Sequence, residues 1–270
     1  MPEGDVVWNT ARRLRQALAG RRLVRAELRV PRHADARLAG RTVLDVVSRG
    51  KHLLTRLDTG LTLHTHLGMD GRWLVHPAAE PWPSARSAVR AVLCTGESLV
   101  IGRQLARVDL VRTTAEDRLV GHLGPDPLGP DWDPDEVVRR MSRQPKRPVS
   151  EALLDQSNLA GVGNLYRAEL LFLRGIAPST PVDAVPDLRR LAELAHSVLL
   201  ANCHGFEQST TGQTRSGLRN YVYGRTGAPC RRCGARIRTD SARVGTEERR
   251  IWWCPHCQPE RNTPGDSYGE

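Results

Sequence analysis

Apolar residues recur at helical spacing between Gly4 and Gly20, where Val7, Ala11, Leu14 and Leu18 share one face and Arg12, Arg13 and Arg15 lie elsewhere on the wheel. This predicts an amphipathic helix with Asp5 as its cap and Gly20 as its stop. The period then changes. In "RAELRV" the residues Ala26, Leu28 and Val30 alternate with Arg25, Glu27 and Arg29. The stretch "TVLDVVSRGKHLLTRLDTGLTLHTHLGMDGRW" reads as short strands broken at Gly50, at Asp58-Thr59-Gly60 and at Asp70-Gly71. "SAVRAVLCTGESLVIG" adds a hairpin that turns at Thr95-Gly96. One helix followed by many short strands predicts a β-sandwich or barrel domain.

The segment "GHLGPDPLGPDWDP", dense in proline and glycine, marks a linker or interdomain turn. Beyond it the signals are helical. Val137, Val138 and Met141 follow the cap-like Asp133-Pro134; Ala152, Leu153 and Leu154 come next, then "YRAELLFL", then Leu188, Leu191, Ala195 and Val198. From Arg219 a cysteine-rich segment takes over, and the terminal "RNTPGDSYGE" is polar and expected to be disordered. The chain thus reads as an N-terminal domain 2–115, a linker 116–132, a helical domain 133–218, a cysteine-rich module 219–260 and a tail 261–270, with no internal repeat.

Charge narrows the partners. Lys and Arg number 40 against 30 Asp and Glu, a net charge of +10, which favours a polyanion; nucleic acid comes first and a membrane surface second. No apolar run approaches the roughly 18 residues of a spanning helix, and the N-terminus, with Glu3 and Asp5, lacks the apolar core of a secretory signal. A cytoplasmic protein is expected. In a reducing compartment paired cysteines point to metal rather than disulfides.

The strongest local signal is Cys230-x-x-Cys233 with Cys254-x-x-Cys257, separated by 20 residues. Two such pairs can supply four thiolates to one tetrahedral zinc ion with no position left for water, a structural site. Cys94 and Cys203 stand apart and are expected to be small buried apolar residues. In "LLDQSNLAGVGNLYRAELLF" a helix ends near Gln156, Gly161-Val162-Gly163 form a turn, and a new helix begins at Asn164 or Leu165. Such a turn either brings backbone and the Asn164 amide against a phosphate or simply closes an αα-hairpin. Lys51, after the Gly50 break, is either an ammonium presented on a tight loop or a surface charge. "RRIWWC" sets Arg249 and Arg250 beside Trp252 and Trp253, either to grip phosphate or to wrap a very small core. His64-x-His66 is a weak metal candidate. At the start of the chain, "MPEGD" is either a tolerated terminus or, once Met1 is removed, a secondary amine at Pro2 able to condense with an aldehyde, next to the carboxylate of Glu3.

"PEG", Lys51 after Gly50, "HLGMDGRW", "LLDQ…GVGNLYRAELLF" and "YGRTGAPCRRCG…RIWWCPHCQ" together resemble the formamidopyrimidine-DNA glycosylase and endonuclease VIII family, in order over nearly the whole chain. The resemblance implies an α+β multidomain protein: an N-terminal helix plus β-sandwich, an α-helical helix-two-turns-helix domain, and a C-terminal zinc-finger hairpin. It implies a bifunctional DNA glycosylase and AP lyase of base excision repair, acting as a monomer on double-stranded DNA that contains damaged bases or abasic sites. In the roles it implies, Pro2 attacks C1′ to form an iminium, and Glu3 is the general acid/base. Lys51 binds phosphate and assists β-elimination, and Arg249 acts similarly in δ-elimination. A guanidinium is a poor acid, so Arg249 is expected to grip the phosphate. Asn164 holds another phosphate, and Met69 is the wedge that fills the space left by the extruded nucleotide, unless it is a core methionine at a strand end. Cys230, Cys233, Cys254 and Cys257 hold one Zn2+.

Some residues depart from the family's pattern. Asp5 and Val6 stand where many relatives have Pro and Glu, and "GRQLA" replaces Asp-Pro-Arg-Arg-Phe-Gly, which puts Arg103 and Leu105 in doubt as partners of Met69. "STTGQTRSGLRNYVYGR" lacks a clear counterpart to the loop that covers 8-oxoguanine, which favours the endonuclease VIII branch and oxidised pyrimidines. Two rivals remain: an AP lyase without base excision, and a non-catalytic zinc protein that binds damaged DNA.

Overall fold

The computed structural model describes residues 2–81, 88–205, 207–244 and 247–260; the tail 261–270 lies outside them. The chain forms two compact units, Met1–Leu123 and Gly124–Glu270.

In the first unit, helix α1 (Gly4–Leu18) buries Val7, Ala11, Leu14 and Leu18, the stripe expected from its spacing. A helix of this length is marginal in water, so its stability comes from what that stripe packs against. Its cap position is Glu3, and Asp5 lies buried inside the first turn rather than capping it. Gly20, past the helix end, has φ +74°, where a side chain would be strained. Strands β1 (Arg25–Leu28), β2 (Val43–Arg49), β3 (His52–Leu57), β4 (Leu61–His66), β5 (Arg72–Pro77), β6 (Val89–Cys94), β7 (Ser98–Arg103) and β8 (Arg107–Arg112) form two antiparallel four-stranded sheets, ordered β1-β6-β7-β5 and β2-β3-β4-β8. Their inner faces meet in one core: Leu28, Trp73, Leu93 and Val100 from the first sheet, Val43, Val46, Leu53, Leu57 and Leu63 from the second, and the α1 stripe. This is the predicted sandwich with its leading helix. The short helix α2 (Asp117–Val120) follows Glu116, which accepts hydrogen bonds from Arg56 (2.7 Å) and Thr62 (2.6 Å). Burial alone would raise the Glu116 pKa, but these two partners outweigh it and hold the carboxyl below its ordinary value. Cys94 is only half-buried, so the expectation of a buried apolar residue holds for Cys203 and not for it.

In the second unit, helices α3 (Pro134–Met141), α4 (Val149–Leu154), α5 (Asn164–Arg174) and α6 (Leu188–Asn202) enclose a core of Val137, Met141, Leu153, Tyr166, Leu170, Leu191 and Leu199. Asp133 caps α3 by accepting from the amides of Asp135 (2.9 Å) and Glu136 (3.2 Å), with Pro134 at the first helical position where its missing N–H costs nothing. Helix α4 stops at Leu154, two residues before the expected end at Gln156, which lies in the turn. The proline-rich stretch packs against this unit: the Gly124 amide donates to Gln156 O, Ala160 N to Pro125 O, and Trp132 stacks on His196 at 5.4 Å. Strands β9 (Arg238–Val244) and β10 (Glu247–Trp253) pair antiparallel as the cysteine module's hairpin. Ile251 joins the helical core, whereas Phe172, Val222, Ile237, Cys230 and Cys254 form a smaller core of their own.

Candidate active site

The first unit carries Pro2, Glu3 and Lys51. Pro2 is half-buried, and Glu3 behind it is fully buried at the cap position of α1, in extended backbone, with its carbonyl accepting from the Val7 amide at 3.0 Å. Lys51 is the second residue of a two-residue turn, because Arg49 pairs with His52 across it. Gly50, the first, has φ +55°, so only the glycine adopts the left-handed conformation, and a turn of this kind matches the twist of the flanking strands. Three histidines line up beside it. His52 and His66 are register partners, His52 Nδ1 lies 2.8 Å from His64 Nε2, and the His52 ring stacks on His64 and meets His66 edge-on. Burial, then the neighbouring imidazoles, lower the His52 pKa to about 3. Burial also lowers that of His64, to about 4, against the opposing pull of Asp109. Burial, Lys51 and Arg107 lower that of His66. Neutral His66 can then accept, and its Nδ1 takes the Gly68 N–H at 3.0 Å. The sequence left His64 and His66 as metal candidates; among the described residues, ligand atoms converge in the arrangement of a metal site only at the four cysteines.

Met69 sits on the turn between β4 and β5 and is 65% exposed, which removes the alternative of a core methionine. That turn lies against the one between β7 and β8. The Ala106 amide donates to His66 O at 3.0 Å, and a Cβ on Gly71 would fall 2.9 Å from Gln104 O. Arg103, at the end of β7, is half-buried, and Leu105 is buried in the sandwich core. Gln104, with φ +50°, is exposed at the tip, as is the small Ala106. Sequence reasoning passed over Gln104 because a glutamine carries no signal of its own; the positive φ appears only in the structure.

The second unit carries Asn164 and Arg249. Gln156 braces the glycine turn from both sides: its Nε2 donates to Leu154 O and Val162 O, and its Oε1 accepts from Gly161 N at 3.0 Å. Gly161, with φ +87°, turns the chain so that Gly163 caps α5 and Asn164 opens it. Arg249 is half-buried on β10, on the same strand face as Ile251. Two fully buried charged residues of α5 are functional candidates that sequence reasoning missed. The Arg167 guanidinium donates to Asn164 Oδ1 and, at 2.9 Å, to Arg250 O. The Glu169 carboxylate accepts from the amides of Tyr221, Val222 and Tyr223, each at 2.8 Å, and from the Thr210 hydroxyl. The available signal was two opposite charges inside the apolar run "LYRAELLFL".

The four cysteine sulfurs lie within 4.8 Å of one another, with Cys230 to Cys257 at 3.9 Å and Cys233 to Cys254 at 3.5 Å. Tetrahedral coordination at a Zn–S distance of about 2.3 Å requires sulfurs about 3.8 Å apart, whereas a disulfide requires about 2.05 Å, so the donor set fits a metal. Amides of Arg232 and Cys257 point at Cys230 Sγ (3.4 Å) and Cys254 Sγ (3.5 Å), favouring thiolates. Gln258 ties the cluster to the helices, accepting from Cys254 N and donating to Ile176 O.

Residues 1–116 match the formamidopyrimidine-DNA glycosylase N-terminal domain, and residues 123–211 match the formamidopyrimidine-DNA glycosylase H2TH domain. The chain is 49% identical to "Probable endonuclease 8 2" of Streptomyces coelicolor, over 96% of this chain and 94% of that protein. It is 43% identical to "DNA-(apurinic or apyrimidinic site) lyase Nei2" of Mycolicibacterium smegmatis, over 96% and 99%. Among solved structures, formamidopyrimidine-DNA glycosylase of Lactococcus lactis, non-covalently bound to DNA with an abasic site, aligns at a TM-score of 0.78 and 23% identity, over 96% of this chain and 100% of that one. At that identity the likeness establishes the fold.

Proposed function

Because the chain belongs to the formamidopyrimidine-DNA glycosylase and endonuclease VIII family, in its endonuclease VIII-like branch, we propose how its residues carry out base excision repair as a DNA glycosylase and AP lyase. The observation that carries the proposal is Glu3, a carboxylate with no exposed surface held directly behind Pro2. A buried carboxylate adjoining the nucleophile is placed to move the protons of its reaction.

After removal of Met1, the Pro2 nitrogen attacks C1′ of the damaged nucleotide and the base leaves. Glu3 protonates the opening sugar, and an iminium joins Pro2 to C1′. An α-amine suits this because its reference pKa is about 8 against about 10 for lysine, so more of it is unprotonated at neutral pH. The iminium draws electrons as a C2′ proton is removed and the 3′ phosphate departs; a second elimination then releases the 5′ phosphate. Lys51, presented by the Gly50 turn, together with Asn164 and Arg249, holds the phosphates on which charge develops. Met69, with Arg103 or Gln104 at the neighbouring turn, fills the space left by the extruded nucleotide. The cysteine set holds one structural Zn2+, which takes no part in the chemistry. Oxidised pyrimidines in duplex DNA are the proposed substrates, the enzyme acting as a cytoplasmic monomer; its charge of +10 makes binding weaken steeply with salt.

A second reading, an AP lyase without base excision, is favoured by the M. smegmatis relative, which is named as a DNA-(apurinic or apyrimidinic site) lyase. Borohydride trapping on two duplexes separates them. An adduct on the peptide beginning at Pro2 with both abasic and oxidised-pyrimidine DNA supports the glycosylase; an adduct with abasic DNA alone supports the lyase. No adduct from protein shown to start at Pro2, with DNA binding intact, overturns both.

A further inference from the structure

Arg167 has no exposed surface. Burying an unpaired guanidinium is costly, so its acceptors must be well placed. Two of them are Asn164 Oδ1, one helical turn earlier on the same face of α5, and Arg250 O on β10, 83 residues along the chain.

We propose that Arg167 is a positioning residue that sets both phosphate grips of this unit at once, by orienting the Asn164 amide and by anchoring β10 beside Arg249. The inference rests on the reading above, in which Asn164 and Arg249 hold phosphate. Arginine can only donate, so it takes the oxygen end of the Asn164 amide and turns the NH2 end away from itself. An amide NH2 is the end a phosphate oxygen accepts from; the same asparagine with its amide reversed would oppose a phosphate with a carbonyl. The second bond acts on the neighbouring strand. Arg249 precedes Arg250, so a carbonyl held at Arg250 fixes the backbone from which the Arg249 side chain starts. One guanidinium therefore ties the start of α5 to β10. Both bonds leave one nitrogen, Nη2; a lysine ammonium has N–H donors for both acceptors but carries them on a flexible stem, so it holds the two in a less fixed geometry.

The test is a double-mutant cycle on the full-length, metal-loaded protein, measuring Kd for a duplex that contains a tetrahydrofuran abasic-site analogue. The variants are Arg167→Met, Arg167→Lys, Asn164→Ala and the two combinations; circular dichroism and one metal per chain serve as controls for folding. Positioning predicts that Arg167→Met weakens binding about tenfold in the native background and less than about threefold once Asn164 is alanine, since an absent amide cannot be misoriented. Arg167→Lys should fall between native and Met. If Arg167→Met does not fold, the Lys variant decides by the same cycle. An equal loss in both backgrounds, or none in either, overturns the proposal. Asn164→Ala binding as tightly as native protein overturns the phosphate reading instead.

Discussion

Replacing Glu169 by glutamine keeps the shape of the side chain and removes one acceptor. The carboxylate has four donors: Val222 N and Tyr223 N on Oε1, Tyr221 N and the Thr210 hydroxyl on Oε2. In the less costly orientation the glutamine oxygen keeps Val222 and Tyr223, the Thr210 hydroxyl rotates to accept from the new NH2, and the Tyr221 N–H is left facing another donor. One buried unsatisfied N–H costs about 1–3 kcal/mol, and the two retained bonds, now neutral, lose about 1 kcal/mol each. Relief of the carboxylate's desolvation offsets part of this, leaving about 3 kcal/mol. For a unit of this size that lowers the midpoint of thermal unfolding by about 10 °C. Calorimetry on metal-saturated protein would measure it, with the transition of the Gly124–Glu270 unit as readout. A change under about 1 kcal/mol would refute the account of Glu169 as the charge that holds 221–223 to α5.

Four other outcomes are expected. Gly71→Ala puts a Cβ 2.1 Å from Leu67 O and 2.9 Å from Gln104 O, whereas Gly96→Ala meets nothing within 4 Å. The first should destabilise the N-terminal unit by about 2 kcal/mol and the second by well under about 1 kcal/mol, so equal urea midpoints would contradict the packing of the two turns. His52 and His64 have folded pKa values of about 3 and about 4, below the ordinary 6.5. The unfolded chain therefore binds the extra protons, and the two histidines' contribution to stability, complete above pH 6.5, declines as pH falls, to about 4 for His64 and to about 3 for His52. At pH 5.5 each costs about 1.4 kcal/mol, and an NMR titration of either imidazole near 6.5 would rule this out. Chelation, or Cys254→Ser, should release about one metal ion per chain and abolish DNA binding while the N-terminal unit's transition stays in place; retained metal after Cys254→Ser would count against a four-thiolate site. Met69→Ala, at an exposed position, should leave stability within about 0.5 kcal/mol yet reduce excision, and unchanged excision would remove Met69 as the wedge.

What could be read from the chain alone was short-range. The period of Val7, Ala11, Leu14 and Leu18 specifies a helix with one buried face, Asp133-Pro134 specifies where α3 begins, and two Cys-x-x-Cys pairs specify a metal-binding knuckle. In each case the interacting groups lie within a turn or two of one another, or are restricted to a few residue types. "PEG", "GVGN" and the cysteine pairs identified the family for the same reason: they are compact patterns. The tertiary structure decided what needed partners from far along the chain. Sequence put Asp5 at the cap, whereas packing places Glu3 there and buries both. Whether Met69 belongs to the core was undecided until the turn at Leu67–Gly71 was seen to lie against the one at Gln104–Ala106, leaving Met69 exposed. Arg167 and Glu169 were not singled out from the sequence. Besides the Asn164 amide and the Thr210 hydroxyl, their partners are backbone groups 83 and 52–54 residues away, and backbone groups look alike in every sequence. A buried charge is stable only where folding brings enough of them together.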